Sequence, residues 1–366
     1  MKPPEPADRK ATAAAANGGE SQALDAAVSP CREISAPAVM AIQPLVSVKM
    51  RTYNHEPYVA RAIEGVLAQK TDFPIELVIG DDCSTDRTRE IVLRFQRDHP
   101  DIIRALLWDR NVGARRNSRK LDELLRGKYT AFNDGDDYWT HPRKLQMQVD
   151  IMEANPDVGL VHAGIRRFDV VSGELLPWKP RPSDYDEGNI LDKYLRGRYH
   201  ISVPAACVRT ELYRAVLRDN PDEFDGRFMM SDMQMWLELS RISKFRFINE
   251  PLTTYNLLPE SVSRSRDLQK EIRFWKSALE MCLHYVDKYQ VDKATELHLR
   301  SSYARLFRVY LSRARGRKLA DLAWGTLKST DAHMGLRELV LYWNARNAFV
   351  RLALETLRRA GSVLRR

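Results

Sequence analysis

Leu45-Val46-Ser47-Val48 and Glu76-Leu77-Val78-Ile79 are two short apolar runs, and the polar residues after each of them decide the fold. The first leads into Arg51-Thr52-Tyr53-Asn54-His55-Glu56. The second leads into Gly80-Asp81-Asp82-Cys83-Ser84-Thr85-Asp86. Both runs have the length and apolar content of buried strands. Between them, Pro57 suits the first turn of a helix, and Val59, Ile63, Val66 and Leu67 share one helical face. Ser84-Thr85-Asp86 supplies cap chemistry for a helix through Ile91, Val92 and Phe95. Further out, Ile102 to Trp108 reads as a third strand. A third helix carries Leu121, Leu124 and Leu125 and stops at Gly127, and Tyr129-Thr130-Ala131-Phe132 is a fourth strand. Strands alternating with helices across short loops predict an α/β fold, a mostly parallel sheet with helices on both faces. In such open sheets ligands bind beyond the carboxyl ends of the strands.

Polar clusters follow the first, second and fourth strands, and all three fall at that one edge. An Asp-rich surface loop is ordinarily a turn or a helix cap; three converging loops point to a site. Asp134-Gly135-Asp136-Asp137 is the strongest of them. Its carboxylates repel one another unless a cation relieves them. Oxygen-only ligands suit Mg²⁺ or Mn²⁺, held by one or two carboxylates and a substrate diphosphate. The glycine allows close backbone approach to a ligand. No Gly-rich, Lys-bearing phosphate loop and no Gly-x-Gly-x-x-Gly follows the first strand, which excludes the P-loop and dinucleotide-binding classes.

Taken in order, Val46-Ser47-Val48, Thr52-Tyr53-Asn54-His55-Glu56, Gly80-Asp81-Asp82-Cys83-Ser84-Thr85-Asp86, Asn111-Val112-Gly113 and Asp134-Gly135-Asp136-Asp137-Tyr138-Trp139 with Pro142 resemble the family 2 glycosyltransferases of the GT-A fold. The resemblance runs from about Leu45 to Ser263. It implies a Rossmann-like nucleotide-diphospho-sugar transferase sheet and an inverting transferase of hexosyltransferase type. The donor it implies is a nucleotide-diphospho-sugar, commonly UDP-linked, and the cofactor a divalent metal, Mn²⁺ or Mg²⁺. By the same pattern Thr52, Tyr53, Glu56, Asp82 and Asp134 bind the nucleotide-sugar, with Asp82 accepting a hydrogen bond from the base. Asp136 and Asp137 hold the metal, although the pattern leaves open how the three acids divide ribose and metal-diphosphate. Tyr53 also reads as a core residue, and Asp86 reads as a helix cap.

Ser231-Asp232-Met233-Gln234-Met235-Trp236-Leu237-Glu238-Leu239 resembles the acceptor-side motif, in which an acidic residue opens a helix. In the family that carboxylate is the general base. Inverting transfer requires one, because the acceptor hydroxyl loses its proton as it attacks. The alternative is that Asp232 only caps its helix. Tyr255-Asn256-Leu257-Leu258-Pro259 departs from the family pattern, which carries Arg after the Tyr and His before the Pro. Leu258 can neither ligate a metal nor face a diphosphate. Arg264 and Arg266 are candidates for the missing charge. His55, His141, His162 and His200 show no metal-ligand spacing and read as surface or hydrogen-bonded histidines.

The whole chain has 366 residues, 44% hydrophobic and 29% charged, a globular composition. Residues 1–43, rich in Ala, Pro, Ser and Glu, read as disordered and carry no signal-peptide pattern. Residues 44–265 form the transferase-like domain and 266–366 a helical, basic C-terminal region. No run of about 18 uncharged apolar residues occurs, which argues against a membrane-spanning helix. Cys31, Cys83, Cys207 and Cys282 are too scattered for a zinc site or a disulfide framework and suit a reducing, cytoplasmic setting. The net charge of +9 is concentrated in residues 300–366, which hold 15 Lys and Arg against 4 Asp and Glu. The stretch from Gly335 to Arg366 is an amphipathic basic helix that would lie on an anionic membrane or pack on the domain. Nucleic acid is a poor partner, since no recognition motif accompanies the charge. The expected partners are a nucleotide-sugar donor and a carbohydrate or lipid-linked acceptor, in bacterial cell-surface polysaccharide or glycolipid synthesis. The rival readings are a nucleotidyltransferase and a non-catalytic sugar-nucleotide-binding or scaffolding protein.

Overall fold

The computed structural model describes residues 30–261 and 265–348. The first half alternates as expected: β1 (Cys31–Ile34), α1 (Pro37–Ala41), β2 (Val46–Thr52), α2 (Val59–Leu67), β3 (Ile75–Asp81), α3 (Thr88–Asp98), β4 (Ile103–Trp108), α4 (Ala114–Leu124) and β5 (Tyr129–Phe132). The second half is less regular. It holds β6 (Tyr138–Trp139), α5 (Lys144–Ala154), β7 (Val158–Asp169), β8 (Glu174–Leu176), α6 (Ile190–Leu195), β9 (Cys207–Arg209), α7 (Thr210–Asp219), α8 (Ser231–Ile242) and β10 (Lys244–Leu257). Four helices close the described chain: α9 (Leu268–Lys288), α10 (Lys293–Arg313), α11 (Arg317–Lys328) and α12 (Leu336–Arg346).

The strands form one mixed sheet in the order β1-β4-β3-β2-β5-β9-β7-β10-β6, with β8 on β7. β4, β3, β2 and β5 are mutually parallel, and β7 and β10 are parallel to each other. β9 runs against both β5 and β7, so β7 and β10 point the same way as β5. The sheet is therefore mostly parallel, with β1, β6, β8 and β9 reversed. Alternate residues enter opposite layers, as the strand period of two requires. Leu77, Ile79, Ile103 and Ala105 pack with Ile63 of α2 and Leu145 of α5. Val78 and Leu106 pack with Leu121 of α4 on the other face. Helices thus cover both faces.

Chain order places the site. From β2 the chain steps outward through β3 to β4, then returns to lay β5 on the other flank of β2. The order reverses between β2 and β5, and the crevice beyond their carboxyl ends is where open sheets bind ligands.

Ordered structure begins earlier than Pro44, where composition places its start. β1 pairs with the outer strand β4, and Arg104 bridges Glu33 at 2.8 Å and Glu76 at 3.0 Å. Backbone pairing and a remote ion pair hold this segment, and composition registers neither. The expected disorder of residues 1–29 falls outside the described residues.

α9 to α12 share a core that includes Leu279, Tyr285, Phe307, Leu311 and Leu327, and Leu195 of α6 and Leu237 of α8 belong to the same cluster. The helical region is thus packed onto the sheet domain. The last expected helix is present as α12, which ends at Arg346, and the expectation for residues 349–366 lies outside the described residues.

Lys144 is fully buried at the start of α5. Its Nζ donates to Gln148 Oε1 at 2.9 Å and lies 3.9 Å from the Trp139 ring centroid. Burial pulls its pKa down to about 7, with the Cys207 thiol opposing. Between pH 7 and the unfolded lysine value of about 10.4, the unfolded chain binds the additional proton, so this residue makes stability rise with pH. Lys144→Met is expected to raise Tm at pH 7 by at least about 2 °C and to flatten the rise toward pH 9. A lower Tm with the same pH slope in thermal melts would count against a buried, charge-starved lysine.

Candidate active site

The site is built from the carboxyl end of β2 upward. Arg51 grips Asp134 with two hydrogen bonds, Nε to Oδ1 at 2.9 Å and Nη2 to Oδ2 at 2.5 Å. Burial opposes the Asp134 charge, but Arg51 prevails and holds the carboxyl below its usual range. Gly135 donates its N–H to the Arg51 carbonyl at 2.9 Å. A side chain there would meet Thr52 Oγ1 at 2.7 Å and His55 Nδ1 at 2.9 Å, so only glycine lets the loop lie on the strand end. Those two atoms, Thr52 Oγ1 and His55 Nδ1, are buried without a protein partner.

The loops after β2 and β3 are laced together. Asn54, in the left-handed region with φ 54°, accepts from the Thr85 amide at 2.8 Å and donates its own N–H to Ser84 Oγ. Asp86 accepts from the amides of Glu56 and Thr88; it thus serves the first residue of α3 from one position ahead of Arg87, which occupies the N-cap and makes no side-chain cap bond. Glu56 turns to Arg87, accepting from its Nε at 2.8 Å and from its amide at 3.1 Å. Tyr53 is 42% exposed, so it is no core residue. Asp82 is buried; its two oxygens accept from the Val112 and Gly113 amides at 2.7 and 2.9 Å, which fastens the loop after β4 to the site.

Asp136 and Asp137 follow on. His55 Nε2 lies 4.0 Å from Asp136 Oδ2. Burial raises the Asp136 pKa; His55 opposes it and the Asp134 charge adds to it. Asp137 is raised well above the carboxylate range by burial and then by Asp136, against the Asn256 amide that donates to it at 2.9 Å. Asn256 also donates its side-chain amide to the Asp136 carbonyl. The departure at Asn256 therefore has a structural role, tying the acidic loop to β10. Leu258 donates its N–H to the Asn256 carbonyl. Arg266 gives its amide to Glu260, and Arg264 lies outside the described residues.

Among the described residues no three His, Cys, Asp or Glu side chains converge as a complete metal cage. The donor set still fits a divalent cation bound partly by substrate. Asp136 is a desolvated carboxylate, about a quarter exposed, pressed by a neighbouring carboxylate. A hard cation bridging one carboxylate to a diphosphate relieves that repulsion. Asp137, locked onto Asn256, is the less available ligand.

Asp232 comes from a distant part of the chain, in the first turn of α8. It is exposed and makes no cap hydrogen bond on α8, so its tie to the helix is limited to the favourable charge of the first turn. Its charge reaches both Arg51 and His200. The first turn of α8 therefore lies within electrostatic reach of the Arg51–Asp134 pair. The sequence motifs assign no role to Arg51, His55 or Asn256. For Arg51 and His55 the available signal is their place beside Thr52 at the strand end.

The sequence model described as "Glycosyl transferase family 2" matches residues 47–216. EpsE of Bacillus subtilis, whose name assigns it provisionally to the glycosyltransferases, is 32% identical over 221 residues, 58% of this chain and 70% of EpsE. TuaG of the same organism, named for teichuronic acid biosynthesis, is 27% identical over 263 residues, 69% of this chain and 92% of TuaG. An uncharacterised Mycobacterium tuberculosis protein is 36% identical over 121 residues, and this match spans 33% of this chain and 35% of that protein. Among solved structures, S. aureus TarS 1–349 in complex with UDP-GlcNAc has 16% identity and a TM-score of 0.46, over 84% of this chain and 91% of that one. The chain belongs to glycosyltransferase family 2.

Proposed function

We propose that the chain is an inverting hexosyltransferase that moves a sugar from a nucleotide-diphospho-sugar, UDP-linked in the first instance, to an acceptor hydroxyl. One observation supports this reading: an exposed carboxylate, Asp232, opens α8 within electrostatic reach of the Arg51–Asp134 pair at the switch point of the sheet. Tyr53 offers an exposed ring for the base, and Asp82 and Asp134 line the nucleotide's side. A divalent cation held by Asp136, with Asp137 behind it, would supply charge compensation for the diphosphate. Arg51 fixes Asp134 and keeps a positive charge at the carboxyl end of β2. Asp232 takes the acceptor proton as the hydroxyl attacks the anomeric carbon and the nucleoside diphosphate leaves. The expected product is a cell-surface polysaccharide or glycolipid, and the name of TuaG, teichuronic acid biosynthesis, supports the polysaccharide part of that reading. Nucleotide release from UDP-, GDP- and dTDP-sugars, with and without Mn²⁺, tests the reading. Release of a nucleoside diphosphate supports it. Pyrophosphate made from a sugar phosphate and a nucleoside triphosphate would mark a nucleotidyltransferase, and neither product a non-catalytic binder.

We also propose peripheral attachment to the inner face of an anionic membrane. No described helix is long and apolar enough to cross one. On α12, however, Leu336, Leu339, Val340 and Trp343 follow a three-and-four spacing and are 78%, 42%, 41% and 49% exposed. This stripe lies in the chain's most basic region, and such a helix binds by apolar burial plus attraction to anionic headgroups. Each large apolar side chain is worth about 1.5–3 kcal/mol on burial. Leu336→Ser with Trp343→Ser is therefore expected to weaken co-sedimentation with phosphatidylglycerol vesicles by at least about tenfold. Unchanged co-sedimentation would remove α12 as the anchor.

A further inference from the structure

A cavity of about 380 Å³ lies beside the end of β7, walled by the segment from Leu176 to Arg181 and floored by Tyr185 and Phe247. Its charged lining is one-sided. Arg167, Lys179 and Arg181 face it, no carboxylate does, and His200 beside them is held toward its neutral form by burial. Among the described residues none of Arg167, Lys179 and Arg181 has an ion-pair partner, although the chain is rich in acidic side chains. Asp184 and Asp186 flank Tyr185 in sequence, yet neither lines the cavity; Asp186 accepts from the Phe247 amide at 2.9 Å and sits 3.9 Å from Arg246.

The wall is built rather than loose. The Arg181 backbone exchanges two hydrogen bonds with the Asn249 side chain, at 2.8 and 3.0 Å. Its guanidinium lies 5.4 Å from the Tyr185 ring centroid. Tyr185 is pinned in turn by the His200 amide at 2.8 Å. Trp178 rests on the backbone of β7 at Gly164, where a side chain would meet its Nε1 at 2.8 Å. A sugar bearing a negative group needs an indole face beside fixed cations. The ring's C–H face packs on the aromatic, and the anion accepts charge-assisted hydrogen bonds.

The cavity also stands at the right edge. β7 points the same way as β2 and β5, so its carboxyl end shares their edge of the sheet. His200 in the lining is within electrostatic reach of Asp232. We propose that this cavity is the acceptor site and that it selects an anionic sugar, whose ring lies on Trp178 and whose phosphate or carboxylate is held by Arg167, Lys179 and Arg181. This rests on the glycosyltransferase reading, since it names the acceptor class for Asp232.

The test titrates glucose, glucose 6-phosphate and glucuronic acid into the full chain by calorimetry, with UDP binding measured in parallel. At least one anionic sugar is expected to bind about tenfold or more tightly than glucose, the value of one added charge-assisted contact. Which of the two wins assigns phosphate or carboxylate. Arg167→Gln with Arg181→Gln, both exposed, is expected to abolish the preference and leave UDP binding and Tm unchanged. Equal binding of the three sugars, or a preference that survives in the double variant, would overturn the proposal. Failure of the wild-type chain to bind UDP would instead count against the transferase reading with a UDP-linked donor, and the anion preference would still be read on its own.

Discussion

Asp232→Asn is expected to lower turnover by about 10²–10⁴-fold, the usual contribution of a positioned general base. A sugar hydroxyl is a poor nucleophile near neutral pH, and the amide cannot accept its proton. Nucleotide binding should be unchanged, because the proposed role of Asp232 is toward the acceptor hydroxyl and not the nucleotide. The structure separates this role from a helix-capping one. A true cap lost to Ala costs about 0.5–2 kcal/mol. Asp232 makes no cap hydrogen bond on α8 and is exposed. Asp232→Ala should therefore stay within about 0.5 kcal/mol of wild type in stability and be as slow as the Asn variant. An Asn variant with near wild-type turnover would move the base elsewhere.

Asp136→Asn is expected to weaken Mn²⁺-dependent UDP binding by at least about 10–100-fold, the range seen when even a supporting partner of a metal ligand is lost. Metal-independent binding should change little. Asp134→Asn is expected to behave differently. It leaves Arg51 without its two-point partner, so it should lower Tm as well as affinity. Calorimetry giving Asp136→Asn and wild type the same metal dependence would take Asp136 out of that role.

The β-α alternation from Leu45 to Phe132 is readable because each element carries its own signal: β-branched runs, a 3.6-residue face, a cap or a glycine stop. Three polar loops at the carboxyl edge are readable for the same reason. The parts that escape are held by partners far away in sequence. β1 depends on pairing with β4 and on Arg104 bridging Glu33 and Glu76. β9 is three residues long and reversed, with its register set by β5 and β7. Within the site, the motif pattern names Asp82 and Asp134 but not the groups that hold them. The Val112 and Gly113 amides fix one, and Arg51 fixes the other. The family pattern groups Glu56 with the nucleotide residues, yet in this structure it joins Arg87. Asn256 reads in sequence as a lost function; its bonds to Asp136 and Asp137 show it bracing the acidic loop. No single-chain pattern encodes a contact between β10 and the loop after β5.

If one carboxylate on the acceptor side drives a single in-line displacement at the anomeric carbon, the anomeric configuration of the product tests it most directly. With an α-linked nucleotide-sugar donor and the acceptor that supports turnover, the anomeric proton coupling read by NMR immediately after transfer should show a β-glycoside. Displacement from the face opposite the leaving group requires that outcome. An α-glycoside from the same donor would mean retention, and would contradict Asp232 as the base of an inverting transfer.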